Sequence, residues 1–403
     1  MFRSYPFGIR GNLPNETHQA ELDTFPNALR NLSPTHASLD RPEMFVLNEP
    51  DQPYLIQWSL TLQRELFSNI AVTATYAGSR GVHLPRVGDA NRPFTTPLPG
   101  GGSFYPDPNA PRPNERWSSI TDRSWDAKSY FNSLRLGLRK RFSAGSSFQL
   151  SYTWQKSIDD GSAIAGSPRE TFNDAWLSQN LRDHNLDRGL SAFSIAHSFN
   201  VNWGVELPFG SGRRFGADAS GIVNQLIGGW QINGILSMAS GPPSTIEGNP
   251  FATCAECNSI LASIRPGASI PKSEDPNGWW VADIATISDA DFPFVQPADP
   301  GDRWFQEGSP PAGSFGNVAR NIGIGPGLAT LDMSVMKEFY TGERAQVQFR
   351  AEFFNILNRT NFQINFRERN THSRGFSINR SFGKITETAA SSRQIQLALK
   401  ITF

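Results

Sequence analysis

YLIQWSLTLQRELFSNIAVTATY, residues 54 to 76, is the stretch whose pattern decides the fold class. Its even positions Tyr54, Ile56, Trp58, Leu60 and Leu62 are apolar, and Gln57, Ser59, Thr61 and Gln63 between them are polar, with Leu55 the one departure. After a short break, Ile70, Val72, Ala74 and Tyr76 again hold one parity against Thr73 and Thr75. Period two is what a β-strand with one apolar and one polar face must show, because successive side chains point to opposite sides of the sheet. Two such strands separated by a few residues form an antiparallel pair.

Outward from this hairpin the alternation recurs seven more times. Leu134, Leu136 and Leu138 alternate with Arg135 and Arg139, then Phe148, Leu150, Tyr152 and Trp154 with Gln149, Ser151 and Thr153. Phe199, Val201, Trp203, Val205 and Leu207 oppose Asn200, Asn202 and Glu206. Trp230, Ile232, Leu236 and Met238 mark a sixth strand, Leu331, Met333, Val335 and Phe339 a seventh. Val347, Phe349, Ala351 and Phe353 make an eighth against Gln348, Arg350 and Glu352, and Ile395, Leu397, Leu399, Ile401 and Phe403 close the chain. About ten residues at ~3.3 Å each, tilted ~45°, cover about 24 Å, the height of the apolar band of an outer-membrane barrel. Soluble strands average about 5 to 6 residues, so this length points to a membrane.

The connections carry the second argument. Short segments (Arg64 to Asn69, Ser143 to Ser147, Tyr340 to Arg344) and one medium turn (Pro208 to Gly229) alternate with long ones (Gly78 to Phe131, Ser157 to Ser198, Ser240 to Thr330, Ile356 to Arg393). Outer-membrane barrels have short periplasmic turns and long external loops, and a soluble jelly roll has no reason to keep this parity. The fold class expected is all-β: an antiparallel transmembrane β-barrel segment of about nine strands. With short turns periplasmic, the first and last strands both run inward, so the segment has an odd strand number and is expected to be a fragment of a larger, even-stranded barrel. Residues 1–53 carry seven prolines and are expected to be an extracellular loop-like segment, with the barrel portion over residues 54–403.

Composition agrees. The 403 residues are 38% hydrophobic and 18% charged, with 35 Gly and 29 Pro, which is rich in turns. Lys plus Arg and Asp plus Glu are each 37, so no basic footprint marks a nucleic-acid partner. No apolar run of 18 residues is present to form a transmembrane helix. Pro6 and Gly8 interrupt the place where a signal peptide needs its apolar core, so no export signal is visible.

An ordered series of stretches runs QPYLIQWSLTLQREL (Gln52 to Leu66), NIAVTATYAGSRGVHL (Asn69 to Leu84), DRGLSAFSIAHSFNVNWGVELPFG (Asp187 to Gly210) and GGWQINGILSMASGPP (Gly228 to Pro243). GNVARNIGIGPGLATLDMSVMKEF (Gly316 to Phe339), FRAEFFNILNRTNF (Phe349 to Phe362) and the terminal RQIQLALKITF continue it. Together these stretches resemble the C-terminal barrel half of the TonB-dependent outer-membrane receptors of the Oar-like group. The resemblance implies a barrel of about 22 strands plugged by a separate N-terminal domain, acting in solute capture and uptake across the outer membrane. The chain shows no counterpart of that plug, of a TonB-contacting box or of an N-terminal sandwich. It is therefore expected to be the C-terminal part of a longer receptor, reaching the TonB energy-coupling system only through a plug supplied elsewhere.

Candidate chemistry is sparse: no catalytic, cofactor-binding or metal site is predicted, and no cofactor. The histidines His18, His36, His83, His184, His197 and His372 are scattered without metal spacing. Asp183, His184 and Asp187 lie close together in LRDHNLDRG, and Asp159, Asp160 and Asp174 offer hard oxygens, but the reading preferred for both groups is solvated polar loop residues. Gly323, Gly325 and Gly327 sit in GIGPG, where Pro326 and the following strand exclude a phosphate loop and imply a turn. Cys254 and Cys257, in CAEC, are a possible loop disulfide. Trp154, Trp203, Trp230, Phe339 and Tyr340 are expected at the membrane interface, while Trp117, Trp125, Trp176, Trp279, Trp280 and Trp304 are expected in loops.

The terminal Phe403, with Leu399 and Ile401 at alternate positions before it, resembles the signal read by the outer-membrane barrel assembly machinery. Expected partners are thus outer-membrane lipid and that machinery, with a small solute or oligomer of unknown identity as ligand. Gln57, Gln149, Asn200, Gln348 and Glu352 are expected to line the lumen. A structural or adhesive outer-membrane protein, and a soluble all-β module binding carbohydrate through loop tryptophans, stand as alternative functions.

Overall fold

In a computed structural model the described residues are Met44–Leu47, 51–91, 94, 96–97, 103–104, 113–114, 120–162, 178, 182, 187–245, 320–341, 345–363, 385 and 387–402. Nine long strands follow one another: β1 Tyr54–Phe67, β2 Ile70–Asp89, β3 Ile120–Ser143, β4 Ser146–Asp159, β5 His197–Glu206, β6 Trp230–Ala239, β7 Leu328–Thr341, β8 Ala345–Phe354 and β9 Gln394–Thr402. They form a single antiparallel meander in which each strand bonds its sequence neighbours, with β1 and β9 at the two ends of the path. Every strand expected from alternation is present, and the all-β class holds. The segment Met44–Leu47, placed in the expected N-terminal loop, is a short strand pairing in parallel with Ile120–Arg123 at the long-loop end of β3.

The strands are tilted. A row of directly opposed residues that begins near the short-turn end of β1 at Leu62 runs through Ala74, Leu136, Tyr152, Phe199 and Met238. It reaches β7 at Ala329, the second residue at that strand's long-loop end. Such a staggered register is what closing a sheet into a barrel requires.

The apolar parity of these strands is not packed against protein. Leu60, Leu62, Leu397 and Leu399 are each more than 60% exposed, while the buried hydrophobics among the described residues are Val82, Ala127, Ala192 and Ala351. In water this inside-out distribution forfeits about 1.5–3 kcal/mol per large side chain; against lipid it costs nothing. On this face Trp58 lies across Gly78 and Trp203 across Gly234, each pair directly opposed in the ladder. A Cβ at either glycine would collide with the indole ring.

Two expectations about connections need correction. The segment from Gly78 to Phe131 is not all loop: the β2–β3 ladder continues as far as Asp89 opposite Thr121. Register shifts between Gly81, Leu84 and Arg86, with His83 at φ 56°, reset the side-chain parity and hide the extension from a period-two search. Trp125 accordingly belongs to β3 rather than to a loop. The Pro208 to Gly229 turn also contains a short helix, α1, over Gly221–Ile227.

Candidate functional site

The face opposite the apolar one is mostly polar, with Ala77, Phe131, Ile235 and Met336 among its few apolar members. One row of opposed residues reads Gln63, Thr73, Gly137, Ser151, Asn200, Ser237 and Thr330 across seven strands. Another reads Ser147, Gly204, Asn233, Ser334, Glu352 and Gln396. Neighbours on this wall hydrogen-bond across strands: Thr61 with Thr75 at 3.1 Å, Arg135 Nε to Ser151 Oγ at 3.2 Å, Asn233 Nδ2 to Ser334 Oγ at 3.2 Å and Gln348 Nε2 to Glu338 Oε1 at 3.1 Å. Between Arg135 and Arg139, Gly137 leaves a cleft of about 240 Å³ bordered by Thr73, Thr75, Gln149 and Ser151.

At the long-loop end the polar groups are buried and locked. Arg86, late in β2, donates from Nε and Nη2 to the Asp126 carboxylate at 3.2 and 3.0 Å, and from Nη1 to Ser178 Oγ at 2.8 Å and Asp187 Oδ2 at 3.1 Å. Ser178 Oγ in turn donates to Asp187. Arg320 donates from Nε to the Asp187 carbonyl at 2.7 Å and from Nη2 to the Asp159 carbonyl at 2.7 Å, and it pairs with the Asp159 carboxylate. Its Nη1 reaches Ser162 Oγ at 3.0 Å. Beside it, Asn321 donates to the Leu190 carbonyl and accepts from Thr245 Oγ1, both at 2.8 Å. Each buried arginine is matched by carboxylates and carbonyls, the condition under which burying charge is tolerated.

The family model of the outer membrane beta barrel domain matches residues 1–396. The chain belongs to this family. The barrel lies in the outer membrane, so its apolar parity faces lipid and its polar parity faces the lumen. Among solved structures the chain is similar to the outer membrane transporter YddB from Escherichia coli, at 11% identity and a TM-score of 0.41, over 89% of this chain and 34% of that one. The barrel chain thus spans about a third of that transporter's length. The search of curated proteins found no match. A soluble carbohydrate-binding module is excluded by the family and by the exposed apolar band.

Gln57, Gln149, Asn200, Gln348 and Glu352 stand on the polar parity, opposed respectively by Ser79, Asn202, Ser237, Glu338 and Ser334. Trp154 is exposed on the apolar parity, and Trp230 and Phe339 gather around Lys337 near the short-turn end, with Lys337 Nζ 5.5 and 4.9 Å from their ring centroids. Asp159, Asp160 and Asp187 are not solvated loop carboxylates: they are buried, and Asp160 accepts the Lys128 N–H at 3.0 Å. Arg320 and Ser162 bond the Asp159 carboxylate, Arg86 and Ser178 bond Asp187 Oδ2, and no metal-ligating cluster occurs among the described residues. His197 bonds Tyr152 through Nδ1 at 2.8 Å. The GIGPG segment differs from the expected turn: Gly323–Ile324 is a short strand antiparallel to Pro243–Ser244, and the turn lies just before it at Arg320–Asn321.

Leu399 and Ile401 are exposed in β9, opposite Phe349 and Val347. Phe403, Cys254, Cys257, Asp174, Asp183, His184, Trp117, Trp176, Trp279, Trp280 and Trp304 lie outside the described residues, as does the side chain of Tyr340. Arg86 and Arg320, which hold the mouth together, carry no signal in the periodicity; Arg320 is visible in the sequence only as part of GNVARNIGIGPG.

Proposed function

We propose that this chain is the C-terminal part of the barrel of an Oar-like TonB-dependent receptor, working in solute capture and uptake without covalent chemistry. The observation that carries the reading is the in-register polar wall from Gln63 to Thr330, backed by a lipid-facing apolar band. A wall of hydroxyls, amides and arginines with so few packed apolar groups suits an aqueous path for a polar solute. The locked residues at the mouth give the external loops a rigid base from which to gather ligand. In this reading residues 1–53 are an extracellular segment ahead of the barrel portion at 54–403, tied to it through the Met44–Leu47 strand, and the terminal Phe403, with Ile401 and Leu399, serves barrel assembly.

The sheet supports a larger whole. In a nine-strand antiparallel meander β1 and β9 run in the same direction, so joining them directly would demand a parallel seam. An odd number of further strands closes the barrel with antiparallel pairs throughout, and unpaired edge groups in lipid cost several kcal/mol each. Translating the DNA upstream of the Met1 codon in the same frame tests the reading. An open frame encoding further strands, a plug and a TonB-contacting segment is expected; in-frame stops directly upstream would withdraw the transport function for this polypeptide.

A further inference from the structure

The connection between β5 and β6 contains the only α-helix among the described residues, and that helix is inside out. α1 reads GIVNQLI and carries no charge. Its half-buried positions are Asn224 and Ile227: the Asn224 Oδ1 accepts the Ser211 N–H at 2.7 Å, and Ile227 occupies the space beside Gly216. Its other side presents Ile222, Val223 and Leu226, which are 76%, 57% and 64% exposed. A surface helix in water turns its apolar stripe toward the protein and its polar residues outward; α1 turns Ile222, Val223 and Leu226 outward, with Gln225 the one exposed polar side chain of the helix.

The position of the helix says what covers that face. Trp230 Nε1 donates to the Leu226 carbonyl at 2.9 Å, and Lys337 donates to the Gly228 carbonyl. Trp230 and Lys337 oppose each other in the ladder and share the apolar parity of Ile232, Val335 and Phe339. The end of α1 is therefore tied to the lipid-facing side of the sheet, at the short-turn end, where aromatic girdles lie. Lys337 is only 2% exposed on that face, covered by this contact and by Trp230 and Phe339. Phe209 and Phe215, with rings 5.6 Å apart, are also more than 40% exposed in the same connection, and the Arg214 guanidinium sits 5.5 Å over the Phe215 ring. The exposed apolar surface of α1 is thus continuous with the barrel's lipid-facing band.

We propose that α1 is an interfacial helix whose partner is the periplasmic leaflet of the outer membrane. It lies along the leaflet with Ile222, Val223 and Leu226 at the boundary between headgroups and acyl chains. Seven residues bury too little to bind a membrane by themselves, but the bonds from Trp230 and Lys337 hold the helix at the leaflet without further ordering cost. The device widens the barrel's grip on the inner leaflet beside β5 and β6.

Site-directed nitroxides test this in outer membranes from cells making the protein with Cys254→Ser and Cys257→Ser. Labels at Ile222→Cys and Leu226→Cys are expected to prefer collision with dissolved oxygen over a water-soluble nickel chelate, at a depth of about 5–10 Å. A label at Ser211→Cys should report water, and one at Leu136→Cys the hydrocarbon. Helix labels as accessible to nickel as the Ser211→Cys label, with Leu136→Cys still in lipid, would overturn the proposal and leave the barrel's seat intact. An aqueous Leu136→Cys label would overturn both.

Discussion

Arg320 and Asp187 are 133 positions apart in the chain, yet the Arg320 Nε–H donates to the Asp187 carbonyl at 2.7 Å. The contact joins two stretches that carry the family resemblance, DRGLSAF and GNVARNIGIGPG. Gly189 follows two residues after Asp187, and a Cβ there would overlap the Arg320 carbonyl. Gly241 of the SGPP stretch likewise faces the Gly325 carbonyl at a distance that admits no Cβ. These motifs therefore have a packing explanation: they let three connections fold tightly together at the mouth of the barrel.

Arg320→Leu leaves the buried Asp159 carboxylate without its cation, which costs about 3–5 kcal/mol when one partner of a buried pair is removed. Arg320→Leu combined with Asp159→Leu should recover most of that loss. The temperature at which the compact band converts to the unfolded one on a semi-native gel reads both variants. Equal midpoints for the single and double variants would show that the pair does not hold the mouth.

Glycines on the two faces should respond differently to the same change. Gly234→Ala pushes a methyl into the Trp203 indole and is expected to cost about 1–3 kcal/mol. Gly137→Ala meets only ordinary contacts at 3.8–3.9 Å on the lumen side and should be neutral or stabilising by about 0.5–1 kcal/mol. Comparing their thermal midpoints decides whether the Trp–Gly pairing is as tight as the geometry states.

The two parities should also differ in their tolerance of charge. Leu136→Arg places a cation against lipid at an estimated cost of about 2–4 kcal/mol near the bilayer midplane. Gln149→Arg, exposed on the polar face, adds one to an aqueous wall. Immunoblots of the outer-membrane fraction should show depletion of the first and normal levels of the second. The reverse order would invert the assignment of the faces.

The β3–β4 hairpin turns through Ala144 at φ 51° and Gly145 at φ 75°. Two successive left-handed residues make the turn type that favours Asn-Gly, and a left-handed alanine carries about 1–2 kcal/mol of strain. Ala144→Asn is expected to raise the thermal midpoint. A lower midpoint would mean that the turn relaxes into another geometry.

Much of this architecture is legible in the sequence. Parity located all nine strands and gave Gln57, Gln149, Asn200, Gln348 and Glu352 their face, and connection lengths separated short-turn from long-loop ends. The bulges after Gly81 were invisible because they reset the very parity used to find strands. The α1 helix was hidden because seven residues are too few to establish a 3.6-residue period.

The sequence by itself determined the fold class and the two faces, since side-chain alternation is a local consequence of the extended backbone and survives without knowledge of neighbours. Only the tertiary structure decided that Arg86, Asp187, Arg320 and Asp159 form one buried network. Their pairing depends on strand tilt, which carries the ends of β2, β4 and β7 to a common rim, and that stagger is a property of the whole sheet. A loop arginine reads as solvated until the fold removes its water, and the same step turns loop carboxylates into its partners.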